Sequence, residues 1–203
     1  MRGNLAEEVT GGLSWPSKMD CPAWGISATK CKIGHVLGQQ EGTVCRSCYA
    51  LKGTFRSANV ERKMQKSYDG MFDERWTPAM YALIRLHAKD RFRFFHSGDI
   101  QSKSHLLNIL RICTELRDVL FWIPTREAAV VKECQDAIPD NARVRLSGHM
   151  IDGPAPKWWK HTSSVVSDHR NATCPSSVKG GNCGTHGCTS CWSRKDEVKY
   201  LKH

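Results

Sequence analysis

The sequence predicts an α/β fold: a parallel sheet with helices outside it, either open or closed part-way as an incomplete (β/α) barrel. Three observations predict it. Runs that read as strands begin at Arg93, Val119, Val144 and Ser163, roughly every 20–27 residues, the length of a strand-plus-helix unit. One of them, Val119-Leu120-Phe121-Trp122-Ile123, is apolar without alternation, as a strand covered on both faces must be. The stretches between the runs carry apolar residues at helical spacing.

The elements follow in order. Residues 1–55 hold few regular signals: Gly11-Gly12, Trp15-Pro16, Gly25, Gly34, Gly38, Gly42 and Gly53 interrupt any helix, so ordered loops are expected there. Ser57 caps a first helix with Val60, Met64 and Tyr68 on one face. Thr77 reads as the cap of a second, with Pro78 as its first residue and Met80, Leu83, Ile84 and His87 on its stripe. His87 there reads as a histidine at the edge of the core rather than a ligand. Arg93–His96 is a strand, closed by the turn Ser97-Gly98-Asp99. Ser102 or Ser104 caps the next helix, which aligns Leu106, Leu110, Cys113 and Leu116. After the apolar strand, Thr125-Arg126-Glu127 turns the chain into a helix with Val130, Cys134, Ala137 and Ile138. Pro139-Asp140-Asn141 leads to the strand Val144–Ser147, and Ser163–Ser167 is a fourth. Trp158-Trp159, after Gly-Pro-Ala-Pro, reads as a cap on the core. The whole, residues 1–203, is one domain: a cysteine segment at 15–55, an α/β body at 56–170 and a second cysteine segment at 171–203.

Ten cysteines are far above ordinary usage. Cys113 and Cys134 fall on apolar helical stripes and read as structural. Eight remain. Cys174, Cys183, Cys188 and Cys191 occupy eighteen residues with almost no apolar side chain, so bound metal must replace the missing core. Cys21, Cys31, Cys45 and Cys48 repeat the arrangement: one Cys-Pro, one middle cysteine and a closing Cys-x2-Cys, the spacing that turns two thiolates toward one centre. The expected grouping is one centre per set, with exchange between sets left open. Iron–sulfur, most simply [4Fe-4S], is favoured; zinc is the alternative, and disulfides are a third. Gly180, Gly181, Gly184 and Gly187 let backbone N–H groups approach such a centre.

The first twenty residues carry charge and no apolar signal region, and no run approaches the roughly 20 residues of a membrane span. A soluble protein of a reducing cytoplasm, with no membrane partner, is expected. The net charge of +10 suits an anionic partner, nucleic acid among them, although the basic residues are scattered and merely denser at Arg194, Lys195, Lys199 and Lys202.

In parallel α/β folds ligands bind at the carboxyl ends of the strands. Those ends deliver His96, Ser97 and Asp99; Thr125, Arg126 and Glu127; Ser147 and His149; Asp168, His169 and Arg170. His96, Asp99 and Arg126 are the candidate catalytic residues, expected to converge in one cavity: His96 and Asp99 to handle a proton or a metal, Arg126 to hold a carboxylate or phosphate.

Several strings carry a resemblance: Cys45-x2-Cys48-Tyr49-Ala50-x2-Gly53, Phe95-His96-Ser97-Gly98-Asp99, Pro124-Thr125-Arg126-Glu127, Cys174-Pro175, and Cys188-x2-Cys191-Trp192 running to Val198-x-Tyr200-x2-His203. Together, over about residues 15–203, they resemble the gene product 88 domain family of actinobacterial phages and plasmids. That resemblance implies a phage- or mobile-element-encoded protein in the host bacterial cytoplasm. More loosely, cysteines ahead of a run of strand–helix units resemble radical-SAM enzymes, which hold a [4Fe-4S] cluster at the mouth of a partial barrel. The chain departs from their pattern: Cys-x3-Cys-x2-Cys is absent, with thirteen residues between Cys31 and Cys45, and no glycine-rich S-adenosylmethionine-binding strand follows. The expected function is an iron–sulfur protein with a redox or radical role on a substrate or redox partner that the sequence does not name. The alternative is a zinc-stabilised module binding nucleic acid or a host protein.

Overall fold

The computed structural model describes residues 3–193 and 197–202. Its centre is a six-stranded sheet: β1 (Ala23–Trp24), β2 (Arg91–Phe94), β3 (Leu120–Thr125), β4 (Ala142–Ile151), β5 (Thr162–Val166) and β6 (Glu197–Leu201). All neighbours are parallel and lie in sequence order, β1 to β6. Each step therefore moves the same way across the sheet. With the right-handed crossover that strand twist imposes, the connections fall on one face and leave the other free. The sheet is open, not closed into a barrel.

The helices are α1 (Gly3–Thr10), α2 (Lys32–Gly38), α3 (Ala58–Gly70), α4 (Trp76–His87), α5 (Lys103–Glu115), α6 (Ala128–Cys134) and α7 (Pro175–Lys179). Alternate strand residues Phe92, Phe94, Phe121, Ile123, Ala142, Val144 and Leu146 join Met80, Leu83, Ile84, Leu106, Leu110, Val131, Cys113 and Cys134 in the main core. The period of two sends their neighbours Arg91, Arg93, Trp122, Arg143 and Arg145 to the opposite, inner face. A second, smaller apolar cluster forms there from Met19, Cys21, Ala23, Trp122, Cys191, Trp192 and Val198.

Ser102 caps α5, accepting from the His105 N–H at 3.1 Å. The second helix starts earlier than its Thr77-Pro78 signal: a turn at Asp73, whose carboxylate accepts from the Arg75 N–H at 2.8 Å, winds the chain into α4 at Trp76. Pro78 still lies in the first turn, where the absent N–H has no intrahelical partner to lose. His87 is exposed and meets Trp15 edge-on.

The N-terminal region is more regular than loops. α1 buries Ala6 and Val9 against α3 and α4. That crossing needs Gly70, since a Cβ there would stand 1.9 Å from the Val9 carbonyl oxygen. Trp159 does close the core, its indole N–H bonding Val144 O at 2.7 Å, while Trp158 is exposed. The β4–β5 connection carries no helix, so the outer face of β5 and β6 opens into a groove of about 980 Å³ lined by Lys157, Trp159, Lys160, Ser164 and Lys199. Of the basic finish, Arg194 and Lys195 lie outside the described residues, as does His203. Among the described residues no helix is long and apolar enough to cross a membrane.

Candidate metal centres

The carboxyl ends of the strands are roofed by the N-terminal segment. Lys32 Nζ bonds Gln101 O at 2.8 Å and the Ile33 N–H bonds Glu127 Oε1 at 3.3 Å, fixing α2 over the loops that follow β2 and β3. Val44 N–H bonds His149 O at 2.9 Å and Ile151 N–H bonds Gly42 O at 2.9 Å, pinning the next loop to the end of β4. Tyr49 OH bonds His96 O at 2.6 Å. These ties gather three thiols. Cys31 stands at the start of α2, and Cys45 and Cys48 open and close one short turn, with the Cys48 N–H bonding Cys45 O at 3.2 Å. Gly34 provides the bare backbone beneath them: a Cβ there would lie 2.7 Å from Cys31 Sγ and 4.0 Å from Cys45 Sγ.

Burial, then the charge of Asp99, then Cys45 and Cys48 push the Cys31 thiol up to about 12. Burial also raises Cys45, against the pull of Arg126. Cys45 and Cys48 thus oppose the ionisation of Cys31, and Cys48 that of Cys45. A cation bound among them reverses that, because a coordinating thiol gives up its proton. The donor set fits a thiolate-bound centre with fewer than four cysteines.

Asp99 and Arg126 lie beside this group, held by the strand ends. Asp99 Oδ1 accepts from Thr125 OH at 2.5 Å and from the Ile100 N–H at 2.7 Å; Oδ2 accepts from the Arg126 N–H at 2.9 Å. Burial is the main influence on Asp99 and lifts it to about 6, against these three donors. Arg126 Nε bonds Gly148 O at 3.2 Å, and its Nη groups have no partner among the described residues. His96 makes other contacts. It is buried, its ring meets Phe55, its Nδ1 has no partner, and burial followed by Arg93 lowers it to about 3, so it is neutral. No hydrogen bond or ion pair joins His96 to Asp99 or Arg126 among the described residues. Ser147 and Ser163 bond each other at 2.9 Å across β4 and β5. Asp168, His169 and Arg170 form an exposed turn in which Arg170 clasps Asp168 at 2.6 Å.

Asp99→Asn is expected to cost about 1–3 kcal/mol, because the new NH2 would face either the Arg126 N–H or the donors on Oδ1. The pH dependence has a defined sign. Between the ordinary 3.8 and about 6 the folded chain keeps a proton on Asp99 that the unfolded chain has lost. This group's contribution to stability therefore falls as pH rises through that window. Urea titrations at pH 4 to 7 of both proteins check it: wild type should lose stability relative to the Asn variant as pH rises.

The other five cysteines meet at the inner face. Cys21 and Cys191 are buried in the second apolar cluster, with Cys174 and Cys183 packed against it. The Cys183 N–H bonds Lys18 O at 3.1 Å and the Cys188 N–H bonds Cys183 O at 2.9 Å. Cys191 Sγ and Tyr200 OH are 3.2 Å apart. Trp192 Nε1 reaches Phe92 O at 2.9 Å, and Arg145 bonds Ser190 O at 3.0 Å and Thr162 O at 2.8 Å. Residues 174–193 thus lie across the sheet from β2 to β6 as a plug. Burial first of all pushes Cys21 and Cys191 to about 12 and Cys183 to about 11.

The thiols therefore divide as three and five, not four and four. Cys21 precedes β1 and Cys31 follows it, so the strand carries them to opposite ends of the sheet. Cys113 and Cys134 are buried in the main core, away from both groups. Among the described residues no three His, Cys, Asp or Glu side chains stand close enough to close around a single ion. The inner-face residues Arg93, Trp122, Arg145 and Tyr200 were not among the candidates. Their signal was the alternation of arginine with apolar residues in Arg91-Phe-Arg93 and Arg143-Val-Arg145, which marks strands whose second face meets something polar.

No curated protein and no solved structure matches the chain. A family model does, described as gene product 88, over residues 2–196. The chain belongs to the gene product 88 family.

Proposed function

We propose that the chain is an iron–sulfur protein with two centres, the first of them the site of chemistry. The observation that carries this reading is the gathering of Cys31, Cys45 and Cys48, without a fourth cysteine, at the carboxyl ends of a parallel sheet beside Asp99 and Arg126. A cluster held there would supply electron transfer and, at an iron lacking a protein thiolate, a coordination position for a small ligand. The chain's own groups supply the rest. The free Nη groups of Arg126 are placed to hold a carboxylate or phosphate next to Cys45. Asp99 fixes Arg126 by its backbone and joins the loops after β2 and β3. The plug of residues 174–193 closes the inner face and keeps water from it. A redox or radical role follows more naturally from this arrangement than simple electron carriage, which needs no such loops.

Anaerobic purification tests the reading. The protein is expected to be brown, with iron and acid-labile sulfide and a paramagnetic signal on reduction. A colourless protein that carries zinc in stoichiometric amount overturns it in favour of a zinc-stabilised module.

A further inference from the structure

Arg93 stands on the inner face, paired in register with Trp122 of β3. Its guanidinium lies 4.0 Å over the Trp122 ring. Nη2 bonds Phe95 O at 3.2 Å and Nη1 meets Met19 Sδ at 3.7 Å. Its Nε is buried without a partner, and among the described residues no carboxylate pairs with it. Trp122 Nε1, the next donor along, is also buried without a partner among the described residues. Met19 and Trp122 belong to the packed cluster that holds Cys21 and Cys191, and Arg93 lies in the electrostatic field of Cys21, Cys183 and Cys191. A half-buried guanidinium whose Nε lacks a partner gains from a nearby anion, and an orphaned indole N–H needs an acceptor. The thiols of Cys21, Cys183 and Cys191 lie within reach of that charge, and a thiol that binds metal does so as the anion.

We infer that Arg93 and Trp122 are the counter-charge and donor pair of the second centre, their N–H groups serving its sulfur atoms and setting its reduction potential. The inference rests on the iron–sulfur reading above. Positive charge and hydrogen bonds to sulfur favour the more negative, reduced state, and so raise the potential. A purely structural Arg93 would move stability alone.

The experiment is a redox titration followed by electron paramagnetic resonance on wild type, Arg93→Gln, Arg93→Lys and Trp122→Phe, with iron measured in each. Arg93→Gln should keep its iron and shift one-electron reduction of the second centre at least tenfold toward the oxidised state, about 59 mV. Trp122→Phe keeps the ring and should shift it the same way by less. Arg93→Lys should recover part of the loss, and the first centre's potential should not move. If Arg93→Gln loses its iron, Trp122→Phe decides: a lowered potential supports the inference and an unmoved one overturns it. Iron in place with unmoved potentials in both variants overturns the inference alone, whereas wild type without iron removes the reading beneath it.

Discussion

Cys191→Ser is expected to empty the second centre and to take most of the soluble protein with it. Cys191 is 6% exposed and packs with Cys21, Trp122 and Trp192. Besides the buried Trp192, which packs edge-on against Trp122, the plug is tied by single hydrogen bonds such as Arg145 to Ser190 O. Each such bond contributes about 1 kcal/mol net. Metal–thiolate binding can supply on the order of 10 kcal/mol per structural site, against a total stability of about 5–15 kcal/mol for a typical domain. Losing the site therefore removes most of the margin and uncovers the inner face of the sheet. Metal content and soluble fraction should fall together, and full metal retention in a folded Cys191→Ser protein would contradict the assignment. Cys21→Ser extends the test. Its thiol lies with the plug, so it should weaken the same spectroscopic signal as Cys191→Ser and spare the other.

Cys48→Ser is expected to do the reverse: to abolish the first centre while the fold and the second centre survive. The main core of β2, β3 and β4 with α4 and α5 is complete without residues 31–48, and the roof is held separately by Lys32, Val44 and Tyr49. Iron should drop to the second centre's share, with circular dichroism unchanged and any activity lost. Cys113→Ala is the control. It removes a buried sulfur from the main core, should cost about 1 kcal/mol, and should leave iron alone. Undiminished iron in Cys48→Ser, or iron lost from Cys113→Ala, sinks the division into ligand and core cysteines.

The middle of the fold was legible because its strands are apolar runs at regular spacing. β2 to β5 were all anticipated, although β4 is longer than Val144–Ser147 suggests. The edges were not. β1 is two residues long, below the reach of any pattern, and β6 hides its alternation of Val198 and Tyr200 within a basic stretch. α1 and α2 were lost among glycines: Gly11 and Gly12 follow α1, while Gly34 sits inside α2 without breaking it. Asp99 and Arg126, both named from strand carboxyl ends, are joined by the bond from the Arg126 N–H to Asp99 Oδ2. His96 makes no hydrogen bond or ion pair with either among the described residues, and Phe95 beside it adopts φ 55°. The division of the cysteines was out of reach for a plainer reason. Sets drawn by closeness along the chain assume closeness in space, and a strand of any length between two residues defeats that assumption.

The plug that crosses the inner face brings Cys183 and Cys191, before the last strand, against Cys21, before the first. During synthesis the two partners of that site are far apart in time. At about 5–20 residues per second, the 143 residues from Cys48 to Cys191 take roughly 7–30 s to translate. Through that interval Cys21 and the three roof cysteines have emerged without the plug. On the two-centre proposal, the second set of thiols is complete only when the chain is nearly finished, whereas the first set is complete early. Loading would then be ordered, first site before second, and the yield of intact protein would depend on keeping four early thiols reduced until the last turn of the chain arrives.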